Sequence, residues 1–232
     1  MPSPVFLITG ASTGIGAATA RHAVATGYRV VLGARSEEKL ASLVDELGGA
    51  EHALAVRTDV TEWEDVQALA QGAIDAYGQI DVVFANAGFG GARSFSPGKA
   101  DPVEDWKAMI LTNVYGVALT IRATIDHLRA TQGHLLITSS VAGRRSLPGS
   151  LYSATKFAAT AMGESLRQEL NGSGCRVTVI EPGMVDTPFF DSPPQMRALE
   201  GDDIARAVLY AVQQPPHVDV NELLIRPTAQ EP

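Results

Sequence analysis

A tyrosine and a lysine supply the clearest chemistry in the sequence. Tyr152 and Lys156 lie four positions apart, and residues at that spacing share one face of a helix. A phenol has a reference pKa of about 10, so it is a poor base at neutral pH unless a nearby cation stabilises the phenolate. Lys156 could supply that cation. The pair is a candidate for acid–base chemistry, but this spacing also occurs on many helices by chance, so other features must support it.

Short apolar runs alternate with longer amphipathic stretches along the chain, and these runs indicate the elements that would position the pair. The predicted strands are 5–9, 29–34, 51–57, 82–85, 134–138, 177–181 and 222–226. The predicted helices are 14–26, 37–47, 62–77, 103–131, 152–170 and 202–212. Such alternation is typical of βαβ units that close a parallel sheet. We therefore expect a single α/β domain over residues 1–232, with a doubly wound, seven-stranded parallel sheet and helices on both faces.

Composition and charge exclude several classes of function. The 232 residues carry 18 Lys and Arg against 26 Asp and Glu, a net charge of −8, and no basic region indicates nucleic acid binding. Cys175 is the only cysteine and the five histidines are scattered, so neither an intramolecular disulfide nor a metal site is expected. The first apolar run is short, has no basic region before it, and no apolar stretch near 20 residues follows. We expect a cytoplasmic protein without a membrane segment.

A glycine-rich turn follows the first predicted strand. Glycine permits a tight turn and a close approach of backbone to a ligand, and free amides at a helix N-terminus attract a pyrophosphate. A turn that only lets the strand and the helix pack is the alternative. Because the turn lies between a strand and a helix, we favour a nucleotide-binding site formed by Gly10, Ser12, Thr13, Gly14, Ile15 and Gly16.

The end of the second predicted strand bears on the choice of nucleotide. Arg35 lies 19 positions after Gly16. An acidic residue there would bond the 2′-hydroxyl of the NAD ribose, whereas an arginine with no acid beside it suits the 2′-phosphate of NADP. Ala34 precedes Arg35, so the sequence favours NADP(H) as the cofactor. An arginine that is merely solvated before a helix is the alternative.

The glycine spacing, with Thr9 before it, resembles that of the short-chain dehydrogenase/reductase family, and this resemblance implies a Rossmann-like fold. It recurs from Val5 to about Pro227. Residues that match the family's adenine-contacting acid and its Asn-Ala-Gly signature follow the third and fourth predicted strands, with Ala85 where the family usually has a further asparagine. The resemblance thus adds to the cofactor site Asp59, Val60, Asn86, Ala87 and Gly88.

The same resemblance implies roles for the catalytic candidates. Tyr152 would be the general acid/base, and Lys156 would lower the pKa of the tyrosine and bond the nicotinamide ribose, so both residues also belong to the cofactor site. Asn113 matches the family asparagine that holds a water in a proton relay to the lysine. An asparagine at the surface or at a helix kink is the alternative for this position.

Two adjacent serines compete for the role of polarising a substrate carbonyl. The run Ser-Ser-Val-Ala-Gly at 139–143 is similar to the family's Ser-Ser-x-Ala-Gly, in which the second serine steadies the developing oxyanion. This local match favours Ser140. The interval from Ser140 to Tyr152 is 12 residues, whereas the family more often has 13, so Ser139 remains the second candidate.

The loop after the sixth predicted strand resembles the family's Pro-Gly-x-Val-x-Thr. In the family the valine backbone and the threonine hydroxyl hold the nicotinamide carboxamide, and the resemblance implies these roles for Val185 and Thr187. An ordinary Pro-Gly turn is the alternative. The expected cofactor contacts of this loop are Pro182, Gly183, Val185 and Thr187.

Together these features predict an NADP(H)-dependent oxidoreductase that transfers a hydride between nicotinamide and a small carbonyl/alcohol substrate. The ending of the chain resembles that of small bacterial members of the family that oxidise 3-hydroxy acids such as serine, so this class is one candidate substrate. An NAD-dependent alcohol dehydrogenase is the nearer alternative. A non-catalytic nucleotide-binding sensor or scaffold of the same fold is the other, but such a chain should lack the tyrosine or the lysine.

Three loops, 89–97, 144–151 and 184–199, are expected to form the substrate pocket. Apolar side chains would form one wall, and an arginine could hold an acidic group or be solvated. The family often forms dimers and tetramers through paired helices, and small residues on the helix of Tyr152 favour a homodimer or homotetramer, unless they pack only on the chain's own sheet. The wall residues are Phe89, Met184, Phe189, Phe190 and Met196, and the arginines are Arg93, Arg144 and Arg145.

Overall fold

A computed structural model describes residues 3–91, 94–189 and 196–230. Strands and helices alternate along it as the sequence predicts. The strands are β1 Val5–Thr9, β2 Arg29–Ala34, β3 Ala53–Arg57, β4 Val82–Ala85, β5 His134–Thr138, β6 Arg176–Pro182, β7 Val185–Asp186, β8 Leu199–Glu200 and β9 Glu222–Ile225. The helices are α1 Gly14–Ala25, α2 Glu37–Glu46, α3 Trp63–Tyr77, α4 Val103–Ile110, α5 Gly116–Thr131, α6 Leu151–Glu169 and α7 Gly201–Val212.

The main sheet has seven strands in the order β3-β2-β1-β4-β5-β6-β9, and every neighbouring pair is parallel. This confirms the predicted doubly wound, Rossmann-like fold. The strand order reverses between β1 and β4, where the chain leaves one half of the sheet and begins the other. In open parallel sheets the crevice at the carboxyl ends of such a pair is where ligands bind.

The strands are buried on both faces, which is why they appear as continuous apolar runs. Successive side chains point to opposite faces of the sheet. Phe6 and Ile8 of β1 pack in the core beneath α1, α2 and α7. Val5 and Leu7 pack in the core beneath α3, α5 and α6. Helices therefore cover both faces, as predicted.

The stretch predicted as a single helix over 103–131 contains an irregular turn. A π-helical segment, Leu111–Tyr115, joins α4 to α5 and carries Asn113 in a buried position. Periodicity cannot reveal such a segment because the flanking helical pattern continues through it. Irregular turns of this kind are frequent at functional sites.

The long helix is also apolar. Among the described residues Val103–Thr131 is the one helix that by length and composition could cross a membrane, with a mean hydropathy of 1.4 over 18 residues. In this fold one side of the helix is buried against the sheet and its neighbours, through Val117, Leu119, Thr124 and Leu128.

Two short strands were not predicted. Val185–Asp186 and Leu199–Glu200 pair in parallel and form a separate two-stranded sheet. Each has only two residues, too few to show an alternating pattern. The pairing closes the base of the predicted 184–199 loop. The middle of that loop, with Phe190, lies outside the described residues, as does Arg93.

Candidate active site

The turn between β1 and α1 leaves no space for side chains, so a ligand could approach its backbone closely. Gly10 and Gly14 have φ values of +65° and +54°, a region that favours glycine. A Cβ added to Gly16 would lie 2.3 Å from the carbonyl oxygen of Gly10. The N-cap residue Thr13 makes no side-chain capping bond and the first turn of α1 has no acidic residue. The open amides therefore fit a pyrophosphate.

Residues from two other strand ends lie beside this turn. The Asn86 Nδ2 group donates to the carbonyl oxygens of Thr9 and Gly10, at 3.2 and 3.4 Å. A Cβ on Gly10 would lie 2.8 Å from the Cα of Ala87. A Cβ on Gly14 would lie 3.1 Å from Cγ2 of Thr187. The predicted cofactor residues after β1, β4 and β6 thus border a single crevice.

The predicted adenine end of the crevice lies at the tips of β2 and β3. Arg35 is exposed directly after β2, and it forms no ion pair with any other described residue. The Asp59 Oδ1 atom accepts bonds from the amide and the hydroxyl of Thr61, at 3.0 and 2.8 Å. Val60 is buried beside Gly116. Arg35 is therefore the cation available to a phosphate at this end.

Helix α6 brings Tyr152 and Lys156 to the carboxyl end of β5. The N-cap Ser150 accepts a bond from the amide of Ser153, so the helix begins directly before the tyrosine. The Lys156 Nζ atom lies 5.6 Å from the centre of the Tyr152 ring and donates to the carbonyl oxygen of Thr138 at 2.9 Å. The predicted sharing of one helix face is thus observed.

Burial dominates the protonation behaviour of the pair. Burial raises the pKa of Tyr152 to about 12, although a hydrogen bond with the Ser140 hydroxyl opposes this shift. Burial lowers the pKa of Lys156 to about 8. The protein by itself therefore does not lower the pKa of the tyrosine, because both groups are removed from water. The phenol is protonated at neutral pH.

Hydrogen bonding distinguishes the two serines. Ser139 is buried; its hydroxyl donates to the carbonyl oxygen of Lys156 at 2.9 Å and bonds with the Thr160 hydroxyl at 2.8 Å. Ser140 instead shares a hydrogen bond with Tyr152. Its Oγ also accepts from the amide of Ala142 at 3.1 Å. The geometry therefore favours Ser140 as the catalytic candidate and gives Ser139 a structural role.

Asn113 joins the loop after β4 to helix α6. Its Nδ2 group donates to the Phe89 carbonyl oxygen at 2.8 Å and to Thr155 Oγ1 at 3.1 Å, while its Oδ1 accepts from the Phe89 amide at 3.0 Å. A Cβ on Gly88 would lie 3.0 Å from Asn113 Oδ1 and 3.5 Å from Lys156 Nζ. Asn113 and Lys156 thus both lie beside Gly88.

Comparisons with known proteins agree with this arrangement. The family model described as short chain dehydrogenase matches residues 4–198. An uncharacterised oxidoreductase of Staphylococcus saprophyticus is 38% identical over 229 residues, which cover 96% of this chain and 97% of that protein. The chain belongs to the short-chain dehydrogenase family.

Solved structures of this family are also similar. An alcohol dehydrogenase from the archaeon Thermococcus sibiricus, complexed with 5-hydroxy-NADP, has a TM-score of 0.87 and 35% identity, covering 99% of this chain and 98% of that one. A closed form of serine dehydrogenase complexed with NADP⁺ has a TM-score of 0.91 and 30% identity, covering 98% and 96%. The similarity spans nearly the whole length of each chain.

An ion-pair network behind the serines of this short-chain dehydrogenase was missed by the sequence analysis. Glu181 is fully buried, and its Oε1 accepts from Arg144 Nε at 2.6 Å and from Thr160 Oγ1 at 3.4 Å. Arg144 also pairs with Glu222 of β9. Burial raises the pKa of Glu181, and the bond from Arg144 opposes that shift. Arg144 thus pairs with two carboxylates of the protein. Of the three candidate arginines, the described one without such pairing is Arg145.

One signal could have revealed this network. Glu181 is the one charged residue at a buried position of β6, just before Pro182, and a buried carboxylate requires a partner. On the substrate side of the short-chain dehydrogenase site, the Phe189 and Tyr152 rings make an edge contact with centroids 5.7 Å apart. A Cβ on Gly90 would lie 2.8 Å from the Phe189 ring. Phe189 therefore packs beside the phenol, as expected for an apolar wall.

Proposed function

We propose that this chain is an NADP(H)-dependent oxidoreductase that transfers a hydride between nicotinamide and a small carbonyl/alcohol substrate. The observation that carries the proposal is the placement of Tyr152 and Lys156 on one helix face, with the Ser140 hydroxyl near enough to the phenol to lower its pKa. Two hydroxyls in contact can both reach one substrate oxygen. The crevice beside them has the open amides and glycine turn that a dinucleotide requires.

In the reductive direction Ser140 would donate a hydrogen bond to the carbonyl oxygen and stabilise the negative charge that develops there. Tyr152 would donate its proton to that oxygen, and its pKa of about 12 keeps it protonated at neutral pH. In the oxidative direction the tyrosine would accept the proton. Lys156 would bond the nicotinamide ribose. Asn113, through its bonds to Phe89 and Thr155, would hold the loop after β4 against helix α6 beside the lysine.

The nicotinamide ring, when bound, supplies or accepts the hydride. The backbone of Val185 and the hydroxyl of Thr187 would hold its carboxamide. Arg35 would pair with the 2′-phosphate, which makes NADP(H) the proposed cofactor. The similar alcohol and serine dehydrogenase structures with NADP-type ligands support this assignment. An NAD-dependent alcohol dehydrogenase is the alternative, in which Arg35 would face solvent.

We propose 3-hydroxy acids as the substrate class to test beside simple aldehydes, ketones and secondary alcohols. The similarity to serine dehydrogenase supports this class. Arg145 is exposed in the loop between Ser140 and Tyr152, where a guanidinium could pair with a substrate carboxylate.

We also propose a homodimer or homotetramer. Ile110, Tyr115 and Phe157 are large apolar side chains exposed on the helical layer formed by α4, α5 and α6, and more than two fifths of each is accessible. A second copy of this chain would cover them. Sedimentation velocity would report a species of at least twice 24.5 kDa, and a monomer at micromolar concentration would contradict the proposal.

The function is tested by titration with NADPH and NADH, followed by absorbance at 340 nm against a panel of carbonyls and 3-hydroxy acids. We expect tighter binding of NADPH and turnover of at least one panel member. Arg35→Asp should weaken NADPH binding by about tenfold or more. NADH binding should stay the same or become tighter, because an acidic residue at this position can bond the ribose 2′-hydroxyl. Lys39→Asp makes the same charge change on an exposed face of α2 and serves as the matched control.

Unchanged NADPH affinity in Arg35→Asp would contradict the cofactor assignment. Tight binding of the dinucleotide without turnover of any panel member would favour a nucleotide-binding sensor or scaffold. Binding of neither dinucleotide would contradict the proposed function at its first step.

A further inference from the structure

A side chain near the end of the described chain holds the loop that follows β6. The Gln230 Oε1 atom accepts a hydrogen bond from the Met184 amide at 2.9 Å, across 46 residues of sequence. Gln230 is itself fixed in a turn, because its amide donates to the Pro227 carbonyl oxygen at 3.0 Å. The turn continues directly from β9, the edge strand that pairs with β6. An ordered segment therefore presents this glutamine to the loop.

The loop after β6 also lies close to the 225–230 segment at Gly183. The Gly183 amide donates to the Ile225 carbonyl oxygen at 2.7 Å. A Cβ added to Gly183 would lie 2.2 Å from Gln230 Oε1 and 3.1 Å from the Cα of Arg226. A larger residue at this position would displace the Gln230 side chain. The glycine of the Pro-Gly pair is thus needed here for packing against the 225–230 segment.

Both backbone polar groups of Met184 are hydrogen-bonded. Its amide bonds to Gln230, and its carbonyl oxygen accepts from the Leu199 amide at 2.9 Å. The second bond is part of the small β7–β8 sheet, but the first depends on one side-chain oxygen. Val185 follows Met184 directly, and Thr187 lies against Gly14 of the glycine turn. The position of Met184 therefore determines how Val185 and Thr187 are placed at the crevice.

We infer that Gln230 is a positioning residue for the nicotinamide end of the cofactor site. It acts through the Met184 amide, and so orients the Val185 backbone and the Thr187 hydroxyl without touching the cofactor. This inference rests on the proposed function, because those two groups are the proposed carboxamide contacts. The adenine end, with Arg35 and Asp59, lies across the sheet at β2 and β3.

The two ends of the cofactor provide a readout that a general structural role would not give. Gln230→Met keeps the length of the side chain but removes the oxygen acceptor. We expect it to weaken NADPH binding by about fivefold, the effect of losing one hydrogen bond. Binding of 2′,5′-ADP, which has the adenine end and the 2′-phosphate but no nicotinamide, should stay within about twofold of wild type. The thermal unfolding midpoint should fall by no more than about 2–4 °C, the cost of one lost hydrogen bond.

Two further variants sharpen the test. Gln230→Glu retains an oxygen at the same distance and should restore NADPH affinity to within about twofold of wild type. Gln230→Asn retains the amide but is one methylene shorter, so it should behave like Gln230→Met. Equal losses for NADPH and 2′,5′-ADP, or no loss of NADPH affinity in Gln230→Met, would overturn the inference alone. A wild-type protein that binds neither dinucleotide would overturn the proposed function and this inference with it.

Discussion

Two polar clusters lie at opposite ends of strands β5 and β6, and their buried ionisable groups have different kinds of partner. The amino-end cluster contains His134, Thr178, Arg176 and Asp219. The carboxyl-end cluster contains Ser140, Tyr152, Lys156 and Glu181. Both pack against β5 and β6, and each contains fully buried groups, His134 and Thr178 in one and Lys156 and Glu181 in the other. Burial and position in the sheet alone therefore do not identify a reactive site.

The amino-end cluster is paired mainly with the backbone. The Arg176 guanidinium donates to four carbonyl oxygens at 3.0–3.4 Å, most of them at the end of α7 and in the loop after it. His134 Nε2 bonds Thr178 Oγ1 at 2.7 Å, and that hydroxyl donates to the Val220 carbonyl oxygen at 2.6 Å. Such bonds join β5, β6 and the segment before β9. The cluster therefore joins elements of the fold.

The carboxyl-end cluster retains groups that the protein itself does not neutralise. Lys156 bonds one carbonyl oxygen but has no carboxylate partner among the described residues. Tyr152 bonds only another hydroxyl, that of Ser140. Holding these groups in a dry site costs stability. From this difference we propose that one cluster serves stability and the other serves the chemistry proposed above, and three experiments test this.

The largest expected effect follows from Tyr152→Phe. The change removes the transferable proton but keeps the ring and its edge contact with Phe189. We expect turnover to fall by about 10²- to 10⁴-fold, while NADPH affinity and the unfolding midpoint change little. Tyr210→Phe, at an exposed tyrosine on α7, is the matched control and should have no effect. Turnover of Tyr152→Phe within a few fold of wild type would place the chemistry elsewhere.

An intermediate effect is expected at the amino-end cluster as the pH is lowered. Burial, with a smaller contribution from Arg176, lowers the pKa of His134 to about 3. In the unfolded chain the imidazole takes up its proton near pH 6.5, so below that pH protonation favours unfolding. The free energy of unfolding should therefore fall by about 1.4 kcal/mol per pH unit between pH 6.5 and 3 through this group alone.

Chemical denaturation as a function of pH measures this slope. His134→Leu removes the titrating group, so the wild-type protein should lose stability more steeply than the variant as pH falls. Substitution of the exposed His217 by Gln should leave the wild-type slope in place. Parallel slopes for wild type and His134→Leu would show that the histidine is not held neutral. Turnover per folded molecule at pH 7 should be the same in all three proteins.

The smallest expected effect has the opposite sign and concerns Lys156→Met. At pH 7 the buried ammonium is charged and costs stability, because burial lowers its pKa to about 8. Methionine fills the space without a charge, so we expect the free energy of unfolding at pH 7 to rise by about 1 kcal/mol. Turnover should be lost. The exposed Lys107→Met is the control and should change neither quantity.

This gain should shrink as the pH rises. The folded wild-type protein loses the Lys156 proton near pH 8, whereas the unfolded chain keeps it to about pH 10.5. Wild-type stability therefore increases through this window relative to the variant. A variant that is less stable than wild type at pH 7 would show that Lys156 contributes to the fold as the amino-end cluster does.

The sequence predicted the sheet well because its strands are buried on both faces. Six of the seven strands of the main sheet match their predicted limits to within one residue at either end, and β3 begins two residues later than expected. The catalytic candidates were also found from sequence, because they follow strand ends or share a helix face. The choice between Ser139 and Ser140 needed coordinates, since adjacent residues differ in direction but not in position along the chain.

The remaining features depend on contacts between distant parts of the chain. Glu181 meets Arg144 across 37 residues, and Gln230 meets Met184 across 46. A single polar residue has no periodicity and therefore gives no pattern from which its partner could be inferred. The π segment around Asn113 was invisible for a related reason, because one extra residue in a helical turn barely disturbs an amphipathic pattern.

The strand order has a consequence for how the crevice is made during folding. Gly10, Asn86 and Thr187 border one cavity but are separated by 76 residues and then by 101 in the sequence. Parallel pairing of β1 with β4 must close a long loop before either side of the crevice has a partner, and such long-range contacts form slowly. Nucleotide binding should therefore arise late in folding. A dinucleotide added during refolding would stabilise the final assembled state rather than speed the first steps toward it.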